Sequence, residues 1–290
     1  MVRNKSILVT GSNGQLGKCL KKFSKSYNYK FLFKPKNELD ITKFNSLEKF
    51  LQTLNIDVII NCAAYTNVNN SEIEKKKSEL VNVQAVNNLA KICKSKKIQL
   101  IHLSTDYVFN GNNNKPYLET DQTNPINHYG LTKLKGENSI LKHSPENSII
   151  IRTSWLYSKY KNNFVSEIIK KINNKEEINI ISDETGSPTN ANDLAKIILD
   201  ILPKIKNEKT EIFHFSNSGF CSRYELAFTI NQLIEGASKI NHIFEYNTSV
   251  KRPKFSVLNS EKIIESFKIK NLNWLDSLNI FLNTFKKNGI

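Results

Sequence analysis

The sequence predicts an α/β protein built on a doubly wound parallel sheet, with a smaller α/β region towards the C-terminus. Three observations support this prediction. The chain has 290 residues, enough for one large domain or two modest ones. Short continuous apolar runs alternate with helical patterns through the first half, which is typical of parallel strands buried on both faces. After Trp155 the alternation stops, and helices mix with short strands.

The elements of the first half follow one another as strand–helix units. Strands are predicted at 7–9, 29–33, 58–60, 100–103 and 149–151, with helices from Gly14, over about 45–54 and 74–95, and from Tyr129. Repeated units of this kind predict a parallel sheet covered by helices on both sides. The second part has predicted helices at about 164–172, 193–202, 224–234 and 276–287 and strands at 178–181 and 212–215.

The chain is basic, with 42 Lys and Arg against 27 Asp and Glu and a net charge of +15. The basic residues are spread along the whole chain and come with many Asn and Ile residues. A general compositional bias therefore explains the charge better than a nucleic-acid surface, and we predict no nucleic-acid partner.

Cysteine spacing and hydropathy indicate the expected compartment. The four cysteines lie far apart, no pair has the spacing of metal ligands, and three of them stand among apolar neighbours, as buried reduced thiols do. The first residues contain no long apolar segment of a signal peptide, and no run approaches the ~20 apolar residues of a membrane span. We expect a cytoplasmic protein without a membrane partner.

A glycine-rich turn joins the first strand to the first helix. Gly11, Gly14 and Gly17 have GxxGxxG spacing. The first glycine permits a tight turn, the second lets the backbone approach a pyrophosphate, and the third lets the helix pack close to the sheet. The helix N-terminus then offers free N–H groups to phosphates. This context predicts a dinucleotide site in a Rossmann-type fold.

The residues after the second strand bear on the choice of cofactor. An acidic residue there would bind the ribose 2′-hydroxyl of NADH, whereas this chain has Lys34 and Lys36. Two cations suit a 2′-phosphate, so we predict NADPH, with NADH as the alternative. We expect Asp40 and Ile41 to flank the adenine.

A YxxxK pattern follows the fourth strand–helix unit. Tyr129 and Lys133 share one helix face, and a nearby ammonium is expected to lower the pKa of the phenol so that it can transfer a proton. Lys133 can also bind the nicotinamide ribose. A third partner is expected at the end of the fourth strand, where Ser104 and Thr105 both offer a hydroxyl.

Several strings resemble the dTDP-4-dehydrorhamnose reductase family, within the extended short-chain dehydrogenase/reductase superfamily. The most specific strings are Ser-Thr-Asp-Tyr-Val-Phe at 104–109 and Arg-Thr-Ser-Trp at 152–155, and matching stretches span most of the chain. The resemblance implies hydride transfer from a reduced nicotinamide to C4 of a dTDP-4-keto-6-deoxy-L-sugar. It implies that Thr105 and Tyr129 bind the keto oxygen and that Tyr129 donates the proton.

The resemblance also implies further contacts. The implied cofactor residues, beside those already named, are Asn13, Gln15, Leu16, Ala63, Ala64 and Tyr65. The implied substrate residues are Thr105, Asp106, Tyr107, Trp155 and Arg252, the last on the diphosphate. We expect a dinucleotide-binding domain over 1–155, with a segment near 186–204 returning to it, and a substrate-binding region over 156–185 and 205–290.

Two departures from the family pattern limit what is carried over. Asn69 and Asn70 stand where the family usually has Asp-Lys, and Cys19 stands where some relatives place a Glu of a magnesium site at a dimer interface. We therefore predict no metal and leave the oligomeric state open, a homodimer included. The alternatives are another nucleotide-sugar reductase or epimerase of the superfamily, a non-catalytic dinucleotide-binding regulatory subunit, and a nucleic-acid-binding protein.

Overall fold

A parallel six-stranded sheet forms the centre of the protein. The computed structural model describes residues 4–244 and 250–286. Its strands are β1 (Ser6–Thr10), β2 (Lys30–Lys34), β3 (Val58–Asn61), β4 (Gln99–Thr105), β5 (Ile149–Thr153), β6 (Leu156–Tyr157), β7 (Ile178–Ile181), β8 (Thr185–Gly186), β9 (Thr189–Asn190), β10 (Glu211–His214), β11 (Cys221–Ser222) and β12 (Ile240–Ile243). The central sheet has the order β10-β5-β4-β3-β1-β2, and all its pairs are parallel.

Helices cover both faces of this sheet. The helices of the described residues, including those of the smaller region, are α1 (Gln15–Phe23), α2 (Phe44–Thr53), α3 (Val68–Ile73), α4 (Lys75–Glu79), α5 (Ala85–Lys96), α6 (His128–His143), α7 (Phe164–Asn173), α8 (Ala191–Ile201), α9 (Arg223–Leu233), α10 (Glu261–Phe267) and α11 (Trp274–Lys286). Successive strand residues point to opposite faces. Ile7 and Val9 therefore join a core with α1 and α8, while Leu8 joins a second core with α2 and α5. The predicted doubly wound α/β fold is confirmed.

The smaller region has a core of its own. Helices α7, α9 and α11 pack with β7 and with Tyr157 at the end of β6. Among the described residues, three two-stranded sheets accompany them, β7 with β12, β8 with β11, and β6 with β9. None of the helices within 4–244 and 250–286 is both long enough and apolar enough to cross a bilayer.

The expected domain boundary at 205 needs a correction. Strand β10 pairs with β5 at the edge of the central sheet, and Ile263 and Phe267 of α10 join the core on one face of that sheet. Part of the segment 205–290 therefore belongs to the first domain. The reason is that β5 offers an unpaired edge, which a strand far along the chain can complete; the local sequence predicts that strand but not the sheet that it joins.

The long helix expected at 74–95 is interrupted. Helix α3 ends at Ile73, α4 is one turn long, and the turn at Leu80–Gln84 is wider than an α-helix before α5 begins. Asn82 in this turn is buried. Its side-chain oxygen accepts a hydrogen bond from the Tyr65 N–H, and its NH2 group donates to the Tyr65 carbonyl and to the Thr132 hydroxyl. Wide turns of this kind are often found at functional sites. Here the turn fixes the loop after β3 to helix α6.

Candidate active site

A cleft of about 510 Å³ opens at the carboxyl ends of the central strands. From β1 the chain continues to β2 on one side of it and then crosses to β3 on the other side, so the strand order reverses at β1. Ligands bind at such a point in open α/β sheets. Many of the residues singled out from the sequence line this cleft, namely Gly11, Asn13, Gly14, Gln15, Leu16, Lys36, Asp40, Ile41, Ala63, Ala64, Tyr65, Thr105, Asp106, Tyr129, Lys133 and Trp155. Gly17, Lys34, Tyr107 and Arg252 are outside its lining.

The glycine turn has the local geometry of a phosphate loop. Gly11 has φ +61°, and a Cβ built on it would lie 2.6 Å from the Ala63 nitrogen, so only glycine fits between the loops after β1 and β3. Gly17 lies behind the cleft, where a Cβ would lie 2.6 Å from Cα of Ser12. Within the described chain, no side chain caps the start of α1, and its first turn has no acidic residue. The exposed N–H groups and the helix dipole there suit an anion.

Lys34 and Lys36 have different surroundings although they are two residues apart. Lys34 is paired with Glu38 at 2.8 Å and lies over the ring of Phe50. Lys36 lines the cleft beside Asp40 and Ile41. The carboxylate of Asp40 accepts hydrogen bonds from Thr42, which lower its pKa against the opposing effect of burial. The structure thus brings one of the two predicted cations to the cofactor side.

The loop after β3 forms the opposite wall. Ala63, Ala64 and Tyr65 line the cleft, and the hydroxyl of Tyr65 donates a hydrogen bond to Glu74. That carboxylate also pairs with Lys77 at 2.9 Å. Glu74 ends α3 with φ −92° and ψ 47°, which turns its side chain back to the loop.

The three residues with predicted catalytic roles meet where β4 ends and α6 begins. Asn127 caps α6 by accepting a hydrogen bond from the Gly130 N–H at 2.8 Å. This cap places Tyr129 in the first turn, where its phenol is hydrogen-bonded to the Thr105 side chain. One turn later, Lys133 Nζ donates to the Leu103 carbonyl at 2.6 Å. Ser104 lines the cleft too, but its hydroxyl donates to the buried Glu137.

The protonation of Tyr129 differs from the sequence-based expectation. Burial raises the pKa of Tyr129 far above its ordinary value of 10, although its hydrogen bond with the Thr105 side chain opposes this shift. Desolvation of the phenolate is the largest cause, and Lys133 is not among the groups that shift this pKa, so the structure does not show the expected lowering by Lys133. Burial also lowers the pKa of Lys133 to about 8, while the negative charge of Glu137 raises it.

Trp155 forms the wall towards the smaller region. Its backbone is left-handed, with φ +43°, which is strained for a bulky residue. A Cβ on Gly186 would lie 2.5 Å from the Trp155 ring, and the Arg223 guanidinium carbon is 3.6 Å from the ring centroid. Arg223 is in turn paired with Glu184. The indole is therefore held between a glycine and a planar cation.

The other expected substrate residues lie around this wall. Burial raises the pKa of Asp106 to about 6, although hydrogen bonds from Ser256 and Thr105 oppose the shift. The Tyr107 ring packs edge-on against Tyr129, with centroids 5.9 Å apart. Arg252 donates to the side chain of Asn69 at 3.3 Å rather than lining the cleft.

The cleft also contains residues that were not predicted as site residues, and two of them lie near the contacts of Gln15 with the smaller region. Gln15 accepts hydrogen bonds from Ser158 at 2.8 Å and Asn163 at 3.1 Å, which tie the glycine loop to the start of the smaller region. Lys161 and Asn162 line the cleft on that side, as Lys77 does on the other. The Asn-Asn-Phe string at 162–164 is part of the family resemblance and was the available signal for this contact.

Comparison with known proteins gives consistent matches over most of the chain. A family model described as the RmlD substrate binding domain matches residues 5–287. A dTDP-4-dehydrorhamnose reductase of Aggregatibacter actinomycetemcomitans is 35% identical over 284 residues, covering 94% of this chain and 96% of that protein. A dTDP-4-keto-6-deoxy-D-glucose reductase of Streptomyces niveus is 34% identical over 220 residues, 76% of this chain and 75% of that protein.

A solved structure shows the same fold. The crystal structure of dTDP-4-dehydrorhamnose reductase from Bacillus anthracis, in complex with NADP, has a TM-score of 0.92 and 32% identity to this chain. The match covers 97% of this chain and 100% of that one.

Proposed function

Because the chain belongs to the RmlD substrate binding domain family and is an oxidoreductase of the short-chain dehydrogenase/reductase superfamily, we propose that it reduces dTDP-4-dehydro-L-rhamnose to dTDP-L-rhamnose with NADPH. One observation carries the proposal. Thr105, Tyr129 and Lys133 meet in the cleft that the glycine loop also lines. A hydride donor and a carbonyl substrate bound there would both lie beside a proton donor.

The residues of the cleft suit NADPH. The glycine loop and the start of α1 would hold the pyrophosphate, Lys36 the 2′-phosphate, and Asp40 with Ile41 the adenine side. Lys133 would bind the nicotinamide ribose. When bound, NADPH supplies a hydride to C4 of the sugar.

Tyr129 is the proposed proton donor. Its raised pKa keeps the phenol protonated at neutral pH, which is the form that a reduction requires. As the carbonyl oxygen gains negative charge, Tyr129 gives up its proton to it, and Thr105 keeps the phenol in place. Trp155 lines the sugar side, Asp106 and Tyr107 contact the sugar, and Arg252 extends the site towards the diphosphate.

A direct assay tests the reaction. The protein is incubated with dTDP-4-dehydro-L-rhamnose and NADPH, and the absorbance of the reduced nicotinamide is followed. We expect consumption of NADPH and formation of dTDP-L-rhamnose. Tyr129→Phe should lose about a hundred- to ten-thousand-fold in kcat and keep its affinity for NADPH. Tyr160→Phe, outside the cleft lining, is the matched control and should keep full activity.

Two outcomes would change the proposal. An active Tyr129→Phe enzyme would remove the proton donor, and a lack of NADPH consumption would remove the reaction. The Streptomyces niveus relative supports a second candidate, reduction of dTDP-4-keto-6-deoxy-D-glucose, and the same assay with that sugar tests it. Tight NADPH binding without turnover of either sugar would instead support a non-catalytic subunit.

A further inference from the structure

A chain of buried side chains runs from β1 to the proposed active-site lysine. Asn61 Oδ1 accepts hydrogen bonds from the Thr10 hydroxyl at 2.6 Å and from the Ala63 N–H at 3.3 Å. A backbone N–H can only donate, so this contact fixes which end of the Asn61 amide is the oxygen. The NH2 group of Asn61 must then face Nδ1 of His102, 3.0 Å away.

This contact determines where His102 carries its proton. The NH2 group of Asn61 can only donate, so Nδ1 of His102 must accept and carries no proton. The His102 side chain is fully buried. Its burial, together with the charge of Lys133, holds the pKa of His102 well below 6.5. The neutral ring therefore has its single proton on Nε2, and that atom lies 3.3 Å from Nζ of Lys133.

The Nε2–H group discriminates between the two forms of Lys133. An ammonium has three donors and no acceptor, so it cannot accept a hydrogen bond from Nε2–H. The neutral amine has a lone pair and can accept it. The charged form must direct its protons elsewhere, and the Leu103 carbonyl at 2.6 Å takes one of them. His102 thus favours the neutral amine, in the same direction as burial.

Other titratable groups around the lysine set the background for this effect. They are Tyr129 and Glu137 on its own helix, His102 and Asp106 on and after β4, Cys62 after β3, and Arg152 on β5. Glu137 favours the ammonium, but its charge is shared with the Arg152 guanidinium at 2.7 Å. Burial raises the pKa of the Cys62 thiol, which keeps it neutral.

We propose that His102, held as the Nε2–H tautomer by Asn61, is a positioning residue that sets the pH at which Lys133 loses its charge and turns the ammonium towards the cleft. The inference rests on the proposed role of Lys133 in the reaction. A lysine positioned in this way presents its charge to the ribose and to Tyr129 instead of to the protein interior.

The tautomer is measured directly by NMR on protein labelled with ¹⁵N-histidine. His102 should show a protonated Nε2 and an unprotonated Nδ1 at neutral pH, assigned by loss of the signal in His102→Phe. His214 is the internal control, because the Arg152 guanidinium faces its Nε2 at 3.3 Å and the Tyr117 carbonyl faces its Nδ1 at 3.1 Å. His214 should therefore show the opposite tautomer. An Nδ1–H tautomer at His102 would overturn the proposal.

An isosteric variant of Asn61 should reverse the tautomer of His102. In Asn61→Asp the carboxylate can only accept, so His102 should place its proton on Nδ1 and leave Nε2 as an acceptor for the ammonium. The titration of Lys133, followed by its ¹³Cε resonance, should move upward by about one pH unit or more. The alkaline limb of the kcat/KM profile should move with it.

Two further variants separate the effect of the His102 tautomer on Lys133 from the effect of the charge that Asn61→Asp adds. His102→Phe removes the donor without adding a charge and should also move the Lys133 titration upward. Thr10→Val removes one hydrogen bond to Asn61 but leaves the Ala63 contact, so the tautomer should stay as in the unmodified protein. A Lys133 titration that is the same in Asn61→Asp and His102→Phe as in the parent would overturn the proposal. Failure of turnover in the unmodified protein would instead remove the proposed function and leave the tautomer result intact.

Discussion

Lys34 and Lys36 show how two identical side chains come to have different roles. Lys34, at the end of β2, is held by Glu38. Lys36, in the turn that follows, faces the cleft. A cation can contribute to recognition of a 2′-phosphate only if its side chain points at the ligand. The direction of each lysine side chain therefore matters more for cofactor preference than the number of lysines in this stretch.

The two lysines therefore differ in their expected effect on cofactor preference. Lys36→Ala should raise KM for NADPH about tenfold, equivalent to about 1.4 kcal/mol, because it removes a charge-assisted contact to the 2′-phosphate. KM for NADH, which lacks this phosphate, should stay unchanged. Lys34→Ala is the matched control and should alter neither value by more than about twofold. Equal effects of the two substitutions would contradict the assignment, and steady-state kinetics with both cofactors provide the measurement.

Helix α6 is the element on which the proposed chemistry depends. Its cap at Asn127 fixes its start, and the buried carboxylate of Glu137 joins it to two strands. Glu137 accepts hydrogen bonds from Arg152 Nε and Nη2 on β5 and from Ser104 on β4. Arg152 also contacts His214 on β10. These contacts hold the helix in one position along the sheet.

Breaking this pair should destabilise the protein strongly. Glu137→Gln leaves the buried Arg152 guanidinium without its counter-charge, and we expect a loss of about 3–5 kcal/mol in the free energy of unfolding. The exposed pair of Lys135 and Glu79 involves the same helix, and Lys135→Ala should cost at most about 1 kcal/mol. Urea titrations of both variants measure the difference. Similar losses in the two would show that the buried pair does not hold α6.

At the scale of the whole molecule, buried neutral histidines couple stability to pH. His102 and His214 are both fully buried. Burial, aided by the charge of Arg152, lowers the pKa of His214 to about 3. An unfolded histidine titrates near 6.5. Below that pH the unfolded chain binds a proton that the folded protein does not, so acid favours unfolding.

The change in the free energy of unfolding per pH unit can be measured. Each such histidine should lower the free energy of unfolding by about 1.4 kcal/mol per pH unit as the pH falls from 6.5 towards the folded pKa. His214→Phe should reduce the slope between pH 6 and pH 4 by that amount, whatever its effect on stability at neutral pH. Asp106, whose pKa is raised to about 6, contributes with the opposite sign between pH 6 and 4 but does so in both proteins.

Denaturant titrations at several pH values provide the measurement. An unchanged slope in His214→Phe would show that this histidine is protonated in the folded protein.

Regular patterns were the easiest features to predict from the sequence. The five strands at 7–9, 29–33, 58–60, 100–103 and 149–151 all lie within one or two residues of their observed positions, because apolar runs between turns have few alternatives. Helix α10 and the two-residue strands were missed, because short elements depend on their neighbours more than on their own composition. The break before α5 was missed because Asn82 and Glu74 look like ordinary helix residues until their partners after β3 are known.

The sequence by itself determined the first five strands of the sheet, the glycine turn and the Tyr129–Lys133 pair, because each depends on residues close together in the chain. Only the tertiary structure decided that Lys36 and not Lys34 faces the cleft, and that desolvation keeps the Tyr129 phenol protonated. The same holds for the link from Asn61 through His102 to Lys133. The direction in which a side chain points and the exclusion of water from a buried group both arise from contacts between distant segments of the chain. Local sequence patterns do not encode such contacts.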